Sequence, residues 1–93
     1  MKALEDEELQ QALSGLPTWH LGDGKIVRDY VFSDFLSALE FVNRVAKLAE
    51  EQNHHPDIDI RYNRVRLGLV THDANGITRR DVRLASLIDQ ISG

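Results

Sequence analysis

The sequence predicts an α+β fold: a four-stranded antiparallel sheet with three helices on one face, in the order α-ββ-α-ββ-α. Three observations predict it. Two pairs of short period-two segments are each joined by tight-turn residues, so their strands pair as hairpins rather than through βαβ crossovers. Three segments with apolar residues at helical spacing flank and separate those hairpins. The length, 93 residues, leaves room for one core, so a single domain over residues 1–93 is expected.

Each element has a local reason. Glu5 to Leu13 reads as a short helix, with Leu9 and Leu13 four apart and acids crowding the first turn, where the helix dipole favours them. Gly15 and Pro17 stop it. Trp19-His20-Leu21 begins a strand, Gly22-Asp23-Gly24 is turn chemistry, and Lys25 to Phe32 returns. Ile26, Tyr30 and Phe32 share one face of that strand and Val27 and Val31 the other, with Arg28 interrupting the first. Ser33 is the expected N-cap of the longest helix, Asp34 to about Glu51. There Phe35, Leu39, Val42, Ala46 and Ala49 form one apolar stripe, and Ala38, Phe41, Val45 and Leu48 a second beside it. Together the stripes cover about half the circumference, wider than the roughly 100° that one core face requires. The excess implies that this helix packs on the sheet and also meets another surface, with a second subunit as the candidate.

Asn53-His54-His55-Pro56 ends the helix, because Pro56 pushes His55 toward extended geometry. Ile58, Ile60 and Tyr62, then Val65, Leu67 and Leu69, mark strands over 57–62 and 65–71, with Tyr62-Asn63-Arg64 as the tight turn. Thr71 to Gly76 is strand end and loop. Thr78 caps a last helix, Arg79 to about Ile91, whose buried side is Leu84, Leu87, Ile88 and Ile91.

Composition excludes several classes of function. Hydrophobic residues at 42% and charged residues at 28% describe a globular chain rather than a disordered one. With no cysteine there are no disulfides, thiolate nucleophiles or Cys-ligated metal sites, and the cytoplasm is the expected compartment. Lys+Arg 11 against Asp+Glu 15, a net charge of −4, argues against direct nucleic-acid binding, which needs a basic footprint. The acidic start from Met1 to Glu8 lacks the apolar core of a signal peptide, and no run of about 18 apolar residues exists, so no membrane association is expected.

The histidines carry the chemistry. His54 and His55 sit at the joint after the long helix. Strand 57–62 leaves that joint and strand 65–71 returns beside it, so His72 comes back to the same end of the sheet. Imidazole has the unperturbed pKa nearest neutrality and both gives and takes protons there. Without a thiol or an evident nucleophilic serine, three imidazoles point to proton transfer rather than covalent catalysis. His20 has no such partner and reads as structural or surface. Three histidines can hold zinc, but neighbours in extended chain point to opposite faces, so His54 and His55 would not share one ion, and no metal site is expected. Glu50 is either a solvated helix-end carboxylate or one that orients an imidazole. Asp81, three after Thr78, fits a capping box with Asp in place of Glu. Trp19 reads as core. Arg61, Arg64, Arg66, Arg79, Arg80 and Arg83 read as solvated surface, with an anionic partner surface as the alternative.

Glu50, His54-His55-Pro56, Tyr62, His72 and Asp81, at these intervals, resemble the signature of the pterin-4a-carbinolamine dehydratases. The order α-ββ-α-ββ-α also resembles that family's fold. Asn53, Asp73 and Ile58 depart from the residues that animal members tend to carry. The resemblance implies loss of water from a 4a-hydroxytetrahydropterin to give the quinonoid dihydropterin, with no metal or cofactor. It implies His54, His55 and His72 as the catalytic set. It implies Glu50, Asn53, Pro56, Val70, Thr71, Asp73, Asp81 and Trp19 as substrate-binding or orienting residues. It also implies a homodimer or homotetramer. The competing expectation is a non-catalytic binding or assembly module on the same fold, of the kind that serves as a transcription factor's dimerisation partner.

Overall fold

Helices and strands alternate as expected in the computed structural model, which describes residues 2–92. They are α1 (Asp6–Ser14), β1 (His20–Gly22), β2 (Lys25–Val31), α2 (Phe35–Gln52), β3 (Asp57–Arg61), β4 (Arg64–Leu69) and α3 (Arg79–Ser92), with a 3-10 turn at His72–Ala74. The sheet is antiparallel throughout, with strand order β1-β2-β4-β3. Asp23 and Gly24 close the first hairpin with positive φ angles of 53° and 76°, the geometry that matches strand twist in a two-residue turn.

Register decides which side chains face the helices. Ile26, Arg28 and Tyr30 lie opposite Leu69, Leu67 and Val65. Ile26, Val65, Leu67 and Leu69 are buried there with Ala38, Phe41 and Val45 of α2 and Leu84, Ala85 and Ile88 of α3. Leu9 and Leu13 bring α1 onto the same core. Arg28 breaks the apolar alternation because it is itself an inward contact. Its guanidinium lies 4.3 Å from the Tyr30 ring centroid and pairs with Asp89 of α3. Asp89 also accepts the indole N–H of Trp19 at 2.8 Å, and Trp19 is buried in the core.

The other sheet face is open and charged. Asp29 accepts two hydrogen bonds from Arg66 at 2.7 and 3.1 Å, which holds its carboxyl below the usual range. Lys25 reaches Asp57 at 2.6 Å across β4, where Gly68 leaves room: a Cβ there would meet Lys25 Cδ at 3.3 Å. Arg61, Arg64 and Arg66 are exposed, consistent with their reading as solvated surface.

Several boundaries differ from expectation. The N-cap of α2 is Asp34, not Ser33: the Asp34 carboxylate accepts the Ser37 N–H at 2.8 Å, while the Ser33 hydroxyl pairs with that of Ser37. The cap is set by where the backbone turns helical, and Asp34 is the last extended residue. The second hairpin is shorter than its period-two pattern. Tyr62 takes φ 54° in the turn, and Thr71 leaves the ladder to bridge Gly76. The two stripes of α2 separate only in part: Ala38, Phe41 and Val45 of the second are buried together with Ala49 of the first, Leu39 and Val42 are half-buried, and Phe35, 43% exposed, and Ala46 face outward. Among the described residues no helix is long and apolar enough to cross a membrane.

Candidate active site

The site begins with how α2 ends. Asn53 adopts a left-handed conformation, φ 51° and ψ 42°. Its N–H returns to the Glu50 carbonyl at 3.2 Å and the His54 N–H to the Ala49 carbonyl at 3.0 Å, the paired closure of a Schellman motif. Asn tolerates this conformation better than most residues. Arg80 of α3 then donates through Nη2 to the Asn53 carbonyl at 2.7 Å. This clasp fixes the His54-His55-Pro56 joint over the start of α3.

The two adjacent histidines part as extended geometry requires. His54 turns inward and is 8% exposed, and its Nε2 lies 2.5 Å from Asp81 Oδ1. His55 turns outward, and its Nε2 pairs with the exposed Glu50 carboxylate. His72 opens the 3-10 turn and is exposed. Thr71, one residue before it, is buried, and its hydroxyl donates to Asp81 Oδ2 at 2.8 Å. The His72 loop is thus fastened to the carboxylate that holds His54. Among the described residues no hydrogen bond reaches the His72 ring.

Asp81 is the centre of this arrangement and has no exposed surface. Oδ2 accepts the Thr78 N–H at 2.9 Å as well as the Thr71 hydroxyl, and Oδ1 faces His54. The Thr78 contact is half of the expected capping box. The other two contacts tie the 71–78 loop and the His54 joint to α3. A buried carboxylate is tolerated when its lone pairs are taken up by donors, and no buried side-chain nitrogen or oxygen among the described residues lacks a partner.

The remaining candidates sit variously. Asn53 and Asp73 are exposed, and Pro56 and Val70 half-buried, around the same joint and loop. Trp19 is at another place: its indole is committed to Asp89, eight residues beyond Asp81, or about 12 Å along α3. Sequence reasoning placed Thr78 only as a helix cap, and missed its hydroxyl's bond to Thr71 and the Arg80 clasp. Both act across loops, where spacing carries no signal. Among the described residues no group of three or more His, Cys, Asp or Glu side chains is placed to hold a metal ion.

A hollow of about 360 Å³ lies on the open sheet face between Asp29, Val31, Asp59, Arg61, Arg64 and Arg66. Its charges include the paired Asp29 and Arg66, and no histidine lines it. The two carboxylate-paired imidazoles, His54 with Asp81 and His55 with Glu50, lie at the end of α2 instead.

A protein-family model described as pterin 4 alpha carbinolamine dehydratase matches residues 2–91. A protein of Acidobacterium capsulatum that carries the name pterin-4-alpha-carbinolamine dehydratase provisionally is 54% identical over 91 residues, 98% of this chain and 99% of that one. A relative from Chloroflexus aurantiacus with the same provisional name is 50% identical over 93 residues, the whole of both chains. The crystal structure of a transcriptional coactivator/pterin dehydratase from Brucella melitensis superposes with a TM-score of 0.92 at 37% identity, covering 99% of this chain and 100% of that one. A pterin dehydratase-like protein described as a RuBisCO assembly factor in the alpha-carboxysome shares the fold, with a TM-score of 0.68 at 20% identity over 82% of this chain and 90% of that one.

Proposed function

The chain belongs to the pterin 4 alpha carbinolamine dehydratase family, and from that premise we propose that it removes water from a 4a-hydroxytetrahydropterin by histidine acid–base catalysis. The products are water and the quinonoid dihydropterin. The carbinol C–O bond breaks with its electron pair on oxygen, which takes up one proton and leaves as water. The adjacent ring N–H gives up its proton, and that electron pair forms the C=N bond. One proton is delivered and one removed, so the reaction is neutral overall and suits groups that titrate near neutrality.

The observation that carries this reading is the buried Asp81–His54 couple, with the His72 loop fastened to the same carboxylate. A carboxylate behind an imidazole fixes the ring's orientation and balances the charge it gains on taking a proton. In this account His54, His55 and His72 handle protons, Glu50 orients His55, and Asp81 orients His54. The backbone of 53–55 and 70–73 borders the pterin. The shared fold of an assembly factor is compatible with a purely binding role, but such a role has no use for a carboxylate-held imidazole. We also propose that the chain works as a homodimer or homotetramer in the cytoplasm.

Variants decide the histidine roles. His54→Ala and His72→Ala each lower the turnover of a freshly generated 4a-carbinolamine by about 10²-fold or more, the range for losing general acid–base help, with far-UV circular dichroism unchanged. Parental rates in both variants would remove the assignment.

A further inference from the structure

Behind Asp81 lies a row of hydroxyl groups whose proton directions can be worked out. Thr71 Oγ is 2.8 Å from Asp81 Oδ2 and 2.7 Å from Thr78 Oγ. A hydroxyl has one proton to give, and a carboxylate only accepts. Thr71 therefore gives its proton to Asp81 and accepts that of Thr78. Thr78 Oγ in turn accepts the Arg80 N–H at 3.2 Å. The donors run one way, from the first turn of α3 through Thr78 and Thr71 to Asp81. Thr71 is 4% exposed and Thr78 and Asp81 are fully buried, so water does not offer these groups an alternative partner.

This one-way row fixes the far side of the carboxylate. Oδ2 holds two donors, the Thr71 hydroxyl and the Thr78 N–H. Oδ1 is left to His54 Nε2 at 2.5 Å. In the neutral ring one nitrogen carries the proton and the other a lone pair, and the nitrogen facing an acceptor is the one that carries it. Nδ1 has no hydrogen-bond partner among the described residues. No partnerless side-chain nitrogen is sealed inside them either. The residual exposure of His54 therefore includes Nδ1.

We propose that Thr71 and Thr78 are positioning residues that commit His54 Nε2 to Asp81, so that His54 exchanges its proton with the pterin through Nδ1 alone. This deepens the dehydratase reading and rests on it for the identity of the substrate. Whichever transfer His54 serves, the ring-nitrogen proton or the one that departs with the hydroxyl, it passes at Nδ1. Removing the Thr71 hydroxyl takes one of two donors from Oδ2 and strands the Thr78 proton. The carboxylate then turns, and the imidazole loses its single orientation.

The test uses the full chain, labelled with ¹⁵N, as the parent and with Thr71→Ser and Thr71→Val. Long-range ¹H–¹⁵N correlations read the His54 tautomer, and kcat and KM are measured on a freshly generated 4a-carbinolamine. The parent shows a protonated Nε2 and a bare Nδ1. Thr71→Ser keeps that pattern and stays within about threefold of the parental kcat. Thr71→Val, nearly isosteric, gives mixed tautomers and lowers kcat by about tenfold or more with KM little changed, a smaller loss than deleting the acid–base group itself. A parental spectrum with the proton on Nδ1 overturns the proposal, whether or not the valine variant folds. So does a valine variant with the parental tautomer and kcat. If the parent turns over no carbinolamine, the dehydratase reading falls, while the tautomer spectra still decide the positioning roles.

Discussion

Asp81 concentrates the energetics of the site in one side chain. Three donors, from the His54 joint and from both ends of the 71–78 loop, meet on its two oxygens, and the carboxylate itself has no exposed surface. Removing it strands the Thr71 hydroxyl, the Thr78 N–H and the His54 ring at once, and each buried polar group left without a partner costs about 1–3 kcal/mol. Asp81→Ala should lose at least about 3 kcal/mol of unfolding free energy in urea, a large share of the 5–15 kcal/mol typical of a domain. A loss under about 1 kcal/mol would mean that the network is not what holds the loop to α3. The same site shows what spacing reveals residue by residue. His54, His55, His72 and Asp81 stand out because few side chains do acid–base work. The inward turn of His54 and the outward turn of His55 follow from the two-residue alternation before Pro56. The hydroxyl row was not legible, since threonine in a loop satisfies local backbone far more often than a distant carboxylate.

At the scale of the element, α2 does two jobs with two faces. Its buried stripe builds the core, and its C-terminal closure at Asn53 presents His54 to α3. The over-wide apolar arc was legible from helical periodicity, and the structure assigns its halves. Ala38, Phe41 and Val45 go inward with Ala49, while Phe35 and Ala46 remain exposed, beside Leu36, which lies outside the predicted arc. Exposed apolar surface on a helix favours association, which is the basis for the proposed oligomer. Light scattering on the parent should give a multiple of the 10.6 kDa chain mass, and Ala46→Glu, on the exposed stripe, should lower it without loss of helix content. A parent that runs as a monomer contradicts the role given to this face. Cap positions were less legible. Ser33 and Asp34 are both good caps, and only the backbone decides between them.

At the scale of the molecule, the order α-ββ-α-ββ-α was readable because each strand pattern and each helix pattern agrees with its turn residues. The strand order β1-β2-β4-β3 was not, because hairpin signals are local and the β2–β4 pairing spans the chain. That pairing places the second hairpin beside the first, and the 71–78 loop returns to the start of α3, so the His54 joint and that loop meet at Asp81. Arg28 illustrates the reverse case: it reads as an interruption of the pattern, yet it anchors α3 to the sheet through Asp89. The account as a whole stands on water loss at the carbinol carbon. The direct measurement is a stopped-flow rate of quinonoid dihydropterin formation from a freshly generated 4a-carbinolamine, with and without the parent protein at neutral pH. Formation should accelerate in proportion to protein concentration. A rate equal to the uncatalysed one at every protein concentration would contradict the account.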